Sequence, residues 1–165
     1  MGAEVGQRAE WNHDAEVNWN LMEWQSHQQI NRLLGDLNRL YSSEASLYKG
    51  DTDQSGFQWI DCDDYESSII AYYRRAPESP EAVICLMNFT PVVREEFLVG
   101  VYDDGEYEEV LNSDAAIYGG SDVVNRERVT AQKVEHQGKP YSLRLRLPPL
   151  SGCILKRVSV PADTI

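Results

Sequence analysis

Three kinds of residue in this 165-residue chain could do chemistry: clustered carboxylates, scattered histidines and cysteines, and an aromatic-rich N-terminal stretch. The carboxylates gather at Asp61-Cys62-Asp63-Asp64 and Asp103-Asp104. Asp61 and Asp63, two apart on a strand, would point to one face, where they could share acid/base work or hold a hard cation. The D-x-[DN]-x-[DN]-G spacing of a calcium loop is absent, so the plainer reading is a solvated turn. Glycoside chemistry needs two carboxyls about 5 to 9.5 Å apart across a cleft, and a strand-end cluster supplies the charge without the cleft. His13, His27 and His136 form no H-x-x-x-H pair, no serine sits in a nucleophile elbow, and no glycine loop is built to cradle phosphate. Cys62, Cys85 and Cys153 are odd in number and contain no C-x-x-C, which reads as reduced packing residues in a cytoplasmic setting. Tyr118-Gly119-Gly120-Ser121 reads as a flexible turn.

The remaining candidate is residues 1–25, where Trp11, Trp19 and Trp24 alternate with Glu4, Glu10, Asn12, Asp14, Glu16 and Asn18. Sugar rings present apolar C–H faces that stack on indole, and their hydroxyls need amide and carboxylate partners, so this mixture suits a glucan groove. The other reading is that the three indoles fix a long structured loop against the helix behind it. A loop of this length tends to be functional or cut off from its support.

The elements that must position these residues follow from periodicity. Ser26 and Gln29 form a capping box, and Ile30, Leu33, Leu34, Leu37 and Leu40 recur on one face, which predicts an amphipathic helix over 26–42. The leucine stripe needs a partner, and each side chain left exposed forfeits about 1.5 to 3 kcal/mol. Residues 43–48 can add a short helical turn. After Gly50 the period changes to short β-branched and aromatic runs at 57–60, 67–75, 81–89, 96–102, 106–112, 129–135, 140–147 and 152–160, separated by Pro, Gly, Asn and Asp. In 141–147, Tyr141, Leu143, Leu145 and Leu147 should face a core while Ser142, Arg144 and Arg146 face water. Residues 82–87 are continuously apolar, as in a strand covered on both faces. The chain therefore reads as mainly β: an antiparallel sandwich of seven or eight strands, preceded by a loop and one amphipathic helix.

Composition bounds the function. A net charge of −12 repels nucleic acid and acidic lipid surfaces. A mean hydropathy of −0.48 and the lack of any apolar run of about 18 residues argue against a membrane span, and the first residues resemble neither a secretory signal nor a myristoylation site. A complete (β/α)₈ barrel, which needs roughly 250 residues, does not fit into 18.8 kDa.

A family resemblance covers essentially the whole chain. Met1-Gly2-Ala3-Glu4-Val5-Gly6-Gln7, Glu10-Trp11-Asn12-His13-Asp14 and Trp19-Asn20-Leu21-Met22-Glu23 resemble the segment after barrel strand eight in bacterial 1,4-α-glucan (glycogen) branching enzymes of the α-amylase class. Downstream, Asp36-Leu37-Asn38-Arg39-Leu40-Tyr41, Gly56-Phe57-Gln58-Trp59-Ile60-Asp61-Cys62-Asp63-Asp64, Asn88-Phe89-Thr90-Pro91, Leu111-Asn112-Ser113-Asp114, Tyr118-Gly119-Gly120-Ser121 and Pro140-Tyr141-Ser142-Leu143 are similar to that family's C-terminal signatures, in the same order. Val5 stands where the family usually has an aromatic.

The resemblance implies a transglycosylase that cleaves an α-1,4 linkage through a covalent glucosyl-enzyme intermediate and passes the chain to a glucose 6-hydroxyl, with no dissociable cofactor. The family's catalytic Asp, Glu and Asp lie upstream of anything matching this sequence, so no catalytic residue is assigned. By position, residues 1–50 match the end of the catalytic barrel and residues 51–165 the all-β C-terminal domain. Loops after barrel strands form the active-site face, so Glu4, Trp11, Asn12 and Asp14 would border the substrate groove, with an α-glucan and the missing barrel as partners. A second reading is a stand-alone glucan-binding or structural β-sandwich that serves a separate catalytic chain.

Overall fold

A computed structural model describes residues 2–77 and 81–158. The strand expected over 152–160 is observed to Arg157, and its last two expected positions, 159 and 160, lie outside the described residues. The N-terminal loop contains two 3-10 turns, Ala3–Val5 and Trp19–Glu23. Helix α1 (Gln25–Ser43) and the single-turn α2 (Ala45–Tyr48) follow.

Eight strands come next among the described residues: β1 (Phe57–Asp61), β2 (Ile69–Arg75), β3 (Ala82–Asn88), β4 (Arg94–Val101), β5 (Glu106–Asn112), β6 (Val129–Thr130), β7 (Tyr141–Leu147) and β8 (Ser151–Arg157). Six of them form one sheet in the order β1-β2-β3-β8-β5-β6, and β4 pairs with β7 in a second sheet, every pairing antiparallel. The core lies between the sheets. Ala71 and Tyr73 of β2, Ile84 and Leu86 of β3, and Leu155 of β8 join Val99 and Val101 of β4 and Leu143, Leu145 and Leu147 of β7 in one buried cluster. Strand β3 is covered on both faces, with Val83, Ile84, Cys85 and Leu86 all buried, as its unbroken apolar run predicts.

Two local expectations are corrected. Ser142 does not face water: it is fully buried and its hydroxyl has no partner. Ser142 pairs with Gly100 across the second sheet, and the 132–139 segment covers the outer side of that pair. Gln132 exchanges both backbone hydrogen bonds with Ser142, Gln137 Oε1 accepts from the Gly100 amide at 2.9 Å, and a Cβ on Gly100 would lie 2.2 Å from the His136 carbonyl oxygen. The capping box also fails. The helix begins at Gln25 behind an extended Trp24, whose carbonyl accepts from the amides of His27 and Gln28, so Ser26 already lies within the first turn. The preceding 3-10 turn runs to within one residue of the helix and leaves Trp24 as the only extended position.

The leucine stripe lacks the cover it needs. No residue of α1 is fully buried among the described residues; Leu33, Leu34, Leu37 and Leu40 are half-buried and Ile30 is exposed. Polar clasps hold the helix to the sandwich instead. Tyr118 Oη donates to Asp36 Oδ2 at 2.8 Å, and Lys156 Nζ donates to the buried Glu44 at 2.6 Å. Ser46 Oγ donates to the Glu81 carbonyl, and Arg74 donates to the carbonyls of Leu47 and Gly56 and to Asp51. Between α2 and β1 the chain crosses itself at two glycines. A Cβ on Gly50 would lie 2.6 Å from the Gly56 Cα, and one on Gly56 would lie 2.2 Å from the Gly50 carbonyl oxygen, so neither position has room for a side chain.

Candidate functional site

The N-terminal loop is folded in two tiers. In the lower tier, the turn at Ala3–Val5 is closed at both ends by glycines in the left-handed region, Gly2 at φ 88° and Gly6 at φ 62°, which side chains rarely tolerate. Val5 is fully buried, and Glu4 is half-buried beside α1. Above them Gln7 forms a neck: its Oε1 accepts from the Asn18 amide at 3.1 Å and its Nε2 donates to the Ala9 carbonyl. Residues 8–17 extend beyond this neck as an upper tier.

Trp11, Asn12 and Asp14 come together in that upper tier. Asn12 Oδ1 accepts from the Asp14 amide at 2.9 Å, the local side-chain-to-backbone turn that Asn favours. The indole of Trp11 lies tilted against the His13 ring at 6.2 Å, and His13 sits 3.3 Å from the Asp14 carboxylate. Glu4 belongs to the lower tier, and no hydrogen bond joins it to the other three among the described residues. Trp11, Trp19 and Trp24 are each more than half exposed, at 60%, 58% and 67%. They do not pack the loop against the helix.

The carboxylate clusters act as turn-makers. Asp61 accepts from the Asp63 amide and, at 2.7 Å, from Gln137 Nε2; Asp64 accepts from the Ser67 amide, and Asp104 from the Gly105 amide. The thiols are held protonated: desolvation and the Asp63 carboxylate push Cys62 up, and burial pushes Cys85 up to about 11.

An aromatic cluster that the sequence pattern announces only in part lies on the outer face of the large sheet. Phe57 and Trp59 of β1 lie beside Tyr72 of β2, with ring centroids 4.7, 5.2 and 5.9 Å apart, and Trp59 is 46% exposed. Its sequence signal is the spacing Phe57-x-Trp59, which puts two rings on one side of an edge strand; Tyr72 joins them only through the β1–β2 register. Burial pushes the Tyr72 hydroxyl up to about 12.

Residues 59–158 match the family model described as the α-amylase C-terminal all-β domain. The chain is 49% identical to the 1,4-α-glucan branching enzyme GlgB of Cereibacter sphaeroides over 152 residues, which are 92% of this chain and 21% of that protein. It is 47% identical to GlgB of Pseudomonas putida and 46% identical to GlgB of Vibrio parahaemolyticus, each match covering 94% of this chain and about a fifth of the relative. The chain therefore spans about one fifth of the length of the curated relatives it matches. Among solved structures, AmyP in complex with maltose shares the fold at a TM-score of 0.50 and 12% identity, over 92% of this chain and 23% of that one.

Proposed function

The chain belongs to the α-amylase C-terminal all-β domain family, and from that premise we propose that it is the C-terminal portion of a 1,4-α-glucan branching enzyme, cytoplasmic and not catalytic by itself. The observation that carries this reading is identity of 46 to 49% to branching enzymes over more than nine-tenths of the chain, which takes in the N-terminal loop and helix as well as the sandwich. On this reading residues 1–50 are the end of a catalytic barrel and residues 51–165 the domain that follows it. The half-buried leucine stripe of α1 is the face that the rest of the barrel covers.

Glu4, Trp11, Asn12 and Asp14 then border the groove that holds an α-1,4-glucan. Trp11 offers an apolar face for a pyranose ring. Asn12 and Asp14, both exposed, offer hydroxyl partners from a turn whose shape is already set by their own hydrogen bond. Bond cleavage and transfer to the 6-hydroxyl belong to carboxylates carried upstream.

The purified chain added to amylose is expected to leave the iodine absorption spectrum unchanged. New α-1,6 linkages in a contaminant-free preparation would overturn the reading.

The partly exposed Phe57, Trp59 and Tyr72 cluster favours a second reading, a sandwich that binds glucan without a barrel. Affinity electrophoresis in glycogen gels separates the two. Retardation lost in W59A supports binding by the sandwich, whereas retardation lost in W11A places the contact on the loop.

A further inference from the structure

The contacts of α1 point to a role for the sandwich beyond support: we propose that it sets the position of the Gly2–Gln7 turn, with α1 as a rigid spacer and His27 and Asn31 as positioning residues. This inference rests on the reading above, in which that turn borders the sugar groove through Glu4.

The helix touches the turn along one side and the sandwich along another. His27 and Asn31, four apart and so on one face, each donate to a backbone carbonyl of the turn. His27 Nδ1 donates to the Val5 carbonyl at 2.7 Å, and Asn31 Nδ2 donates to the Glu4 carbonyl at 2.9 Å. Between them Ile30 packs so closely on Gly6 that a Cβ there would lie 2.9 Å from its Cδ1. These contacts hold the main chain of Glu4, whose carboxylate has no hydrogen-bond partner among the described residues. Gln29 and Asp36, seven apart and again on one face, meet the 113–122 loop between β5 and β6. Tyr118 donates to Asp36, and a Cβ on Gly119 would lie 2.7 Å from Gln29 Oε1.

That loop is itself rigid. The Asp114 carboxylate accepts from the Ser121 amide, the Ser121 hydroxyl and the Val123 amide, all within 2.9 Å, while the Asp114 amide donates to Asn112 Oδ1. The Gly120 position leaves only 2.1 Å between a Cβ and the Asp114 carbonyl oxygen. The Glu44–Lys156 pair, just past the far end of α1, gives the helix a second attachment to the sandwich. From the strand end at Asn112 to the Glu4 carbonyl, every link is a buried or half-buried hydrogen bond, a close packing contact or a helix backbone.

Hydrogen exchange on the full chain tests the proposal at the amides of Val5, Gly6 and Gln7, which close the turn by donating to the carbonyls of Gly2 and Ala3. H27A and N31A are expected to speed exchange at these amides by about tenfold or more, the equivalent of one lost hydrogen bond. H27N, whose amide can occupy the place of the ring Nδ1, should restore slow exchange. Y118F should speed the same three amides by a smaller factor, about threefold. Unchanged exchange in H27A and N31A overturns the proposal, as does failure of H27N to restore it. An unaffected turn in Y118F overturns the link to the sandwich, and acceleration spread equally over β3, β7 and β8 overturns positioning in favour of lost global stability. Glycogen-gel retardation of the same variants is read separately: a wild-type chain that is not retarded counts against the glucan reading while the exchange result stands.

Discussion

The arm of residues 2–50 and the sandwich of residues 57–158 are built on different principles. In the sandwich, β-strands from two sheets bury one continuous apolar cluster, and β7 alternates inward leucines with outward arginines. In the arm, Val5 is the one fully buried apolar side chain among the described residues, and the 19-residue helix has none. What holds the arm is polar: carbonyls caught by His27 and Asn31, and clasps at Asp36, Glu44 and Ser46. Such bonds fix geometry more than they add net stability, because each replaces a bond to water. The sandwich buries one continuous core between its sheets, while the arm leaves the apolar stripe of α1 only half-buried.

The largest expected contrast is in protection from proteolysis. Chymotrypsin should cut readily at the exposed Trp11 and Trp19 of the N-terminal loop. The buried Tyr73 and Tyr107 should be cleaved at least about a thousandfold more slowly, since reaching them requires the sandwich to unfold. Equal protection at both sets of sites, followed by mass spectrometry of the fragments, would break the contrast. Next in size are paired truncations followed by urea denaturation. Leu155→Ala, at a fully buried core position, should cost about 2 to 5 kcal/mol. Leu37→Ala, on the half-buried stripe, should cost on the order of 1 kcal/mol or less.

The smallest effect is one of pH and has opposite signs in the two regions. Burial opposes the charge on Glu44, but Lys156 and the Ser46 amide and hydroxyl outweigh it and hold the carboxyl below the ordinary glutamate value of 4.5. Its stabilising contribution is therefore present above 4.5 and is lost as the pH falls through its folded value. Glu109 in the sandwich is the reverse: burial outweighs its bonds from Asn125 and Asn112 and raises its pKa, so its contribution is present below 4.5 and is lost as the pH rises through its folded value. Exchange protection, corrected for the intrinsic pH dependence of amide exchange, should fall with acid at α2 and rise with acid near Asn125; E44Q should remove the first trend alone.

Much of the fold was legible because strands and helices have characteristic periods. The seven-residue alternation of β7, the unbroken apolar run of β3 and the stripe of α1 each name their element and its buried side. Features that depend on another part of the chain were not legible. Ser142 is buried by a segment that folds back over Gly100, and the start of α1 is set by a 3-10 turn that no apolar period announces. The aromatic cluster needs the register that places Tyr72 opposite Trp59. Within the candidate site, Trp11, Asn12 and Asp14 stand close in sequence and could be read together. The partners of Glu4 and Val5 could not, because side-chain bonds to main-chain carbonyls 22 and 27 residues away leave no pattern of residue types.

The glycine crossing between α2 and β1 bears on how this module can be moved. Gly50 lies against Gly56, and Arg74 of β2 reaches across to Leu47 and Asp51, so the joint has no slack in which a hinge could form. A portable version of the sandwich for grafting onto another protein would start no later than Glu44, keeping both strands of the crossing and the Lys156 pair. A host joined there would inherit a fixed angle of approach rather than a tether.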